Sequence, residues 1–161
     1  MNDRYTLHAR TLTFLLNRDD VLLIQRSPSA RLFPGMFNGV GGHVERGEDI
    51  LSAARREVQE ETSLDVPKLM LRCLLHVDEG ADRPGVLVLV FVGHAKQRSV
   101  TESSEGTLHW VPVGRIGELN LLPDLPELLT KVLTLPADAA PIFAHSIISS
   151  DSSTWEIHFT S

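Results

Sequence analysis

Apolar and branched residues crowd the segment LHARTLTFLLN, residues 7–17, and the polar NRDD closes the run. That pattern predicts a strand and a turn, with VLLIQR at 21–26 as the returning strand. The following SPSARLFPGMFNGVGGH holds two prolines and four glycines and predicts loop. Asp49 can then cap a helix from Ile50 to Glu61. KLMLRCLLHVDE and GVLVLVFVGHAK are strand patterns joined by the turn GADRPG. The second is apolar at successive positions, as a strand covered on both faces should be. The polar loop SVTESSEG leads to a short strand, TLHWVPV, and then to a helix from Leu125 with Pro126 in its first turn. IFAHSII and TWEIHFT form a closing hairpin around SSDSS. The expectation is one α/β domain over residues 1–161, with a mixed sheet and two or three helices.

Composition narrows the partners. A hydrophobic content of 42% supports a real core, and a net charge of -6 gives no basic footprint for a nucleic acid polymer. That charge also repels an anionic ligand, which would need local cations or a metal. The single cysteine, Cys73, makes no internal disulfide and suits a small core position in a reducing compartment. MNDRYTLHAR has no apolar h-region, and the longest apolar run, GVLVLVFVG, is too short to cross a bilayer. The expected protein is cytoplasmic, away from membranes, and a monomer or homodimer.

The helix sequence RREVQEET raises a sharper issue. Its glutamates at 57, 60 and 61 stand at offsets where like charges repel. With Glu57 at zero on a helical wheel, Ile50 falls near about 20°, Ala53 about 320°, Ala54 about 60°, Glu61 about 40° and Glu60 about 300°. The carboxylates thus follow the apolar face, while Ser52, Arg55 and Gln59 take the far side. A solvated helix would reverse that arrangement. Carboxylates this dense and half-buried need protonation, arginine partners or a multivalent cation. Hard cations such as Mg²⁺ and Mn²⁺ favour oxygen ligands. The bland alternative is a charged helix paired with Arg55, Arg56 and solvent.

The flanking residues weigh against the bland alternative. Gly42, five residues, Glu48, seven residues, Arg56-Glu57-Val58, one residue and Glu60-Glu61 closely resemble the signature of the Nudix hydrolases, Gx5Ex7REUxEExGU, where U is aliphatic. GHVERGEDILSAARREVQEETSL fills the 23 positions from Gly42 to Leu64, with Ser63 where the family usually has glycine. The resemblance implies an αβα sandwich with a loop-helix-loop motif and Mg²⁺-dependent hydrolysis of a nucleoside diphosphate linked to another group. It assigns metal binding to Glu57, Glu60 and Glu61, joined by the carbonyl of Gly42. Arg56 would orient the carboxylates and Glu48 would support them. Glu105, in the loop TESSEGTLHW, matches a glutamate that reaches the metal site in several relatives; Glu102 is a weaker candidate, and an exposed loop residue is the plain alternative. The catalytic base stays open between Glu61, Glu60 and such a loop residue.

The substrate is less sharply written. FNGVGGH, with Val40 in place of a common proline, resembles the subset that hydrolyses oxidised purine nucleoside triphosphates, and looser similarity runs from about His8 to Phe159. In that subset an asparagine at the position of Asn38 and an acidic residue near Asp124 read the base. An amide and a carboxyl together offer donors and acceptors to a purine edge. A turn role for Asn38 and an N-cap role for Asp124 are the structural alternatives. Arg26 is a candidate for phosphate, and Phe33, Phe37 and Trp110 for base stacking, with surface and core roles as their alternatives. His43 is expected to be a loop residue. Nucleotide sugars, ADP-ribose and dinucleoside polyphosphates remain alternative substrates. A nucleotide-sensing module without catalysis is an alternative of another class, disfavoured by the complete set of box residues.

Overall fold

The computed structural model describes residues 4–101, 104–149, 151 and 154–160. The strands are β1 (Leu7–Asn17), β2 (Asp20–Arg26), β3 (Phe37–Asn38), β4 (Leu69–Asp78), β5 (Gly85–His94), β6 (Gly106–Pro112), β7 (Ile142–Ile148) and β8 (Trp155–Thr160). Two α-helices, α1 (Ile50–Thr62) and α2 (Leu125–Thr134), accompany them. The sheet runs β3-β2-β1-β5-β4-β7-β8, with β6 paired to β2. The β1–β5 and β4–β7 pairs are parallel and the others antiparallel, so the sheet is mixed. The doubly apolar β5 does lie inside the sheet, flanked by β1 and β4.

Strand alternation sends neighbouring side chains to opposite faces. Phe14, Leu23, Leu75 and Val90 pack with Leu125, Leu128, Leu129 and Val132 of α2. Leu15, Leu22, Leu89 and Phe91 pack with Ala54 and Val58 of α1. One helix therefore covers each face, which gives the expected αβα layering. Cys73 is buried in the α2-side core and unpaired, as expected. Two elements escaped the sequence pattern: the two-residue β3, and a 3-10 turn at Val113–Glu118 that buries Ile116. Neither is long enough to show a period.

Helix α1 starts as expected. The Asp49 carboxylate accepts the Ser52 N–H at 3.0 Å and caps the first turn. It ends at Ser63, whose φ of 61° is left-handed and whose N–H reaches the Gln59 carbonyl. This is the position where glycine is favoured, because a Cβ is strained there. The departure of Ser63 from the signature therefore keeps the turn and accepts the strain.

Candidate functional site

The glycine segment ahead of α1 runs alongside β1. Thr13 N–H donates to the Val40 carbonyl at 2.6 Å, Thr11 N–H to Gly42 at 2.8 Å, and Val44 N–H to Ala9 at 3.1 Å. The approach is too close for side chains: a Cβ on Gly41 would lie 2.0 Å from the Thr11 carbonyl oxygen. A Cβ on Gly42 would lie 2.3 Å from Glu57 Oε1. The missing side chain of Gly42 is thus the space in which the Glu57 carboxylate sits. Gly41 adds an N–H donated to Glu61 Oε2 at 3.1 Å.

Arg56 gathers the surrounding carboxylates. Its Nε and Nη2 donate to Glu48 at 3.0 and 2.8 Å, a two-point contact with one carboxylate. Its Nη1 reaches Glu57 at 2.9 Å and Glu60 at 3.1 Å, and Nη2 also reaches the His43 carbonyl at 3.1 Å. The hydrogen bond from Arg56 holds Glu48 below the usual carboxylate range, helped by the Glu45 N–H. His43 contributes its carbonyl here, in keeping with its expected loop role.

The wheel is right for two of the three glutamates. The Glu61 residue is 7% exposed and the Glu57 side chain 14%. The Glu60 side chain is 59% exposed, and Ile50 is 39% exposed. Both were expected to face inward. The buried stripe is instead centred on Ala54, Val58 and Glu61, which leaves Glu60 at its margin and Ile50 fraying outward in the first turn.

Burial pushes the Glu61 carboxyl up to about 7, with Glu57 and Glu105 adding repulsion and the Gly41 N–H and Arg10 opposing it. Among the described residues, no three His, Cys, Asp or Glu side chains form a ready-made ion cage. The donor chemistry nevertheless suits a hard dication. The Glu57 carboxylate disfavours ionisation of Glu61, an interaction that a cation between them would reverse. The Gly42 carbonyl, bonded once to Thr11, retains a second lone pair.

A cavity of about 620 Å³ opens beside this cluster. Glu61, Glu105 and Arg10 line it, and so do Asn38 and Asp124. Glu61 and Glu105 therefore share one space with the candidate base readers, whereas Glu48, Glu57 and Glu60 do not line it. Glu102 lies outside the described residues. Asn38 is half-buried in β3, and its Oδ1 accepts the Gly39 N–H at 2.8 Å. That is a local turn contact, and the amide NH₂ has no hydrogen-bond acceptor among the described residues. Asp124 precedes α2, yet its side chain makes no capping bond. It is 7% exposed, and burial pushes its carboxyl up to about 6. Arg26 lines the cavity while its Nε donates to the Leu32 carbonyl at 2.8 Å.

Of the aromatic candidates, Phe33 lines the cavity. Phe37 and Trp110 do not. They border a smaller one, and Trp110 donates its indole N–H to the Arg98 carbonyl at 2.9 Å beneath the Arg98 guanidinium. The second aromatic of the large cavity is Trp155 of β8, whose ring lies 5.4 Å from that of Phe33. Sequence reasoning missed Trp155, Arg10 and Thr11. Arg10 carried a signal, a cation interrupting an apolar strand. Thr11 is 3% exposed at the cavity, and its Oγ1 has no hydrogen-bond partner among the described residues.

A mixed sheet between two helices, with a glycine loop packed on an acidic helix, defines an αβα protein with a loop-helix-loop acidic site. The NUDIX domain model matches residues 6–132, and the chain belongs to that family. The mouse (Mus musculus) oxidized purine nucleoside triphosphate hydrolase is 32% identical over 127 residues, covering 75% of this chain and 79% of the relative. A m7GpppN-mRNA hydrolase, NUDT17, of Xenopus laevis is 54% identical over 44 residues, 27% of this chain and 15% of the relative. The chain spans only 15%, 20% and 23% of the first curated relatives it matches. In fold it resembles the MutT protein of Bacillus halodurans, with a TM-score of 0.78, 23% identity, and coverage of 94% of this chain and 97% of that one. Nudix hydrolases generally need a divalent metal. No helix among the described residues is long and apolar enough to cross a membrane.

Proposed function

We propose that this protein is a divalent-metal-dependent pyrophosphohydrolase of nucleoside triphosphates, preferring an oxidised purine deoxynucleotide and releasing monophosphate and pyrophosphate. The observation that carries the reading is the shared cavity, in which Asn38 and Asp124 face the same space as Glu61 and Glu105. The similarity to the mouse hydrolase over most of both chains supports the substrate class.

Glu57, Glu61, the Gly42 carbonyl and, from the margin, Glu60 are the groups that would hold Mg²⁺ or Mn²⁺. When bound, the ion supplies neutralisation of phosphate oxygens and a more nucleophilic water. Arg56, braced by Glu48, fixes the direction of Glu57 and Glu60. Arg10 and Arg26 bring positive charge to the cavity of an otherwise acidic chain, as a polyphosphate requires. A carboxylate of Glu61, Glu60 or Glu105 accepts the proton of the attacking water. At the base, the Asn38 NH₂ donates and Asp124 accepts or donates according to its protonation.

A Mg²⁺-supplemented panel of ordinary and oxidised purine triphosphates, ADP-ribose, nucleotide sugars and capped dinucleotides tests the reading, with products identified. Asn38→Ala is expected to lower the kcat/KM ratio for oxidised over ordinary purine triphosphates by roughly five- to 150-fold, from about 1–3 kcal/mol for an unpaired buried polar group. Turnover of a generic triphosphate should fall much less. Faster hydrolysis of ADP-ribose than of any triphosphate refutes the substrate assignment. Absence of hydrolysis across the panel favours a nucleotide-sensing module.

A further inference from the structure

Behind the base-reading side of the cavity lies a short polar chain through the α2-side core. The Trp155 indole N–H donates to the Ser146 hydroxyl oxygen. Ser146 Oγ lies 3.4 Å from Asp124 Oδ2. Ser146 is 0% exposed, so water does not compete for its hydroxyl. The direction of the chain follows from the donor inventory. An indole nitrogen only donates, so Ser146 must accept there, and its own hydrogen is left for Asp124.

We propose that Trp155 and Ser146 are positioning residues for Asp124, forming a one-way hydrogen-bond relay that turns the carboxyl so its remaining oxygen addresses a purine base in the cavity. This rests on the base-reading role given to Asp124 above. Three strands of observation meet in it. Asp124 stands at the start of α2 but leaves the capping contact unmade, so its side chain is committed elsewhere. Trp155 is itself a wall of the cavity, so the group that starts the relay also touches the ligand space. Phe33, at a left-handed φ of 51° that is costly for a bulky residue, lays its ring against Trp155 and fixes the indole plane. The relay thus joins the wall against which a base would lie to the carboxyl that would read its edge.

The relay has a signature that simple packing lacks. Ser146 donates to the ionised carboxyl and favours that form, opposing the effect of burial. The other charged groups of the cavity are Arg10, Glu61 and Glu105 near the glycine loop, and Arg26, Glu79, Asp82 and Arg83 around the remaining wall. Among the described residues, none of these is a hydrogen-bond or ion-pair partner of Asp124.

The test uses the full chain with Ser146→Ala, Ser146→Cys and Trp155→Phe. Carboxyl ¹³C resonances follow Asp124 without ligand. Steady-state kinetics compare a purine nucleoside triphosphate with inorganic tripolyphosphate, which has no base. Ser146→Ala should move the Asp124 midpoint to higher pH and raise KM for the nucleotide about three- to tenfold, the effect of one hydrogen bond. It should leave kcat, and both constants for tripolyphosphate, within about twofold. Trp155→Phe, which keeps an aromatic ring and removes the N–H, should shift the midpoint in the same direction by less. If Ser146→Ala does not fold, Ser146→Cys and Trp155→Phe read the same relay. An unmoved Asp124 titration in the folded variants overturns the relay. A moved titration with unchanged nucleotide KM in both Ser146→Ala and Asp124→Asn keeps the relay and removes the base-reading role on which its purpose rests.

Discussion

Asp124 makes folding stability depend on pH in a direction opposite to that of a salt-bridged carboxylate. Burial holds its carboxyl at about 6, against an ordinary aspartate value of 3.8. Between those values the folded chain binds more protons than the unfolded chain at this site, so stability falls as pH rises. The contribution is intact below about pH 4 and lost above about pH 6. The difference between those two values corresponds to about 3 kcal/mol, at about 1.36 kcal/mol for each tenfold change in the proton-binding constant. Asp124→Asn removes the titration while keeping size and hydrogen-bonding capacity. Urea unfolding of wild type and variant at pH 4.0, 5.0, 6.0 and 8.0 would measure the effect, with those pH values chosen on the order of the two limits. The stability of the variant relative to wild type should grow by about 3 kcal/mol from the acidic to the alkaline end. Glu61 is also displaced upward, but it does so in both proteins and cancels in the difference. A difference that stays flat with pH would refute the claim that Asp124 is held in a desolvated site.

Glu57→Gln and Glu60→Gln should each lower Mg²⁺-dependent turnover by orders of magnitude while circular dichroism stays native, since each removes ligand charge and little packing; near-normal activity in both would sink the metal assignment. Millimolar Mg²⁺ should raise the melting temperature of wild type, because a native-state ligand stabilises by mass action, and Glu57→Gln should blunt the rise. Ser63→Gly should stabilise the protein by about 0.5–1 kcal/mol, because the left-handed φ of 61° strains serine and suits glycine; chemical denaturation that shows a loss instead would mean the serine side chain makes a contribution the backbone argument omits.

The strands and helices were legible because each is long enough to show its own period. β1 and β7 begin where their apolar and branched runs begin, α1 follows its Asp49 cap, and α2 begins at Leu125 with Pro126 in its first turn. β3 was not legible, because two residues cannot alternate; it is held by Ile24 and Gln25 of β2 on one side and by the Asn120–Leu122 segment on the other. The relation of Glu60 to the surface was misjudged for a related reason. A helical wheel gives angles but not the centre of the contact, and that centre is set by β1 and β4 packing on Ala54 and Val58 rather than on Ile50.

The two halves of the site differ in legibility because of how far apart their residues lie in sequence. The acidic half is compressed into Gly42 to Glu61, where glycine spacing and helical offsets determine what can meet. Gly42 must lack a side chain because Glu57 occupies that space, and this dependence is local enough to be written as a pattern. The half proposed to read the base draws Asn38 from β3, Asp124 from the start of α2, Ser146 from β7 and Trp155 from β8. No spacing rule binds these residues, and only the sheet order, with β7 and β8 at its edge and α2 across its face, brings them around one cavity. Metal chemistry tolerates little change in ligand distance and so fixes a short motif. Recognition of a base edge needs only a donor and an acceptor presented into one cavity, and many chain segments can supply them. Chemistry is accordingly easier to read than substrate in this chain, and the contacts of Ser146 with Asp124 and Trp155, which involve neither the acidic cluster nor any short motif, are where structure adds what sequence cannot carry.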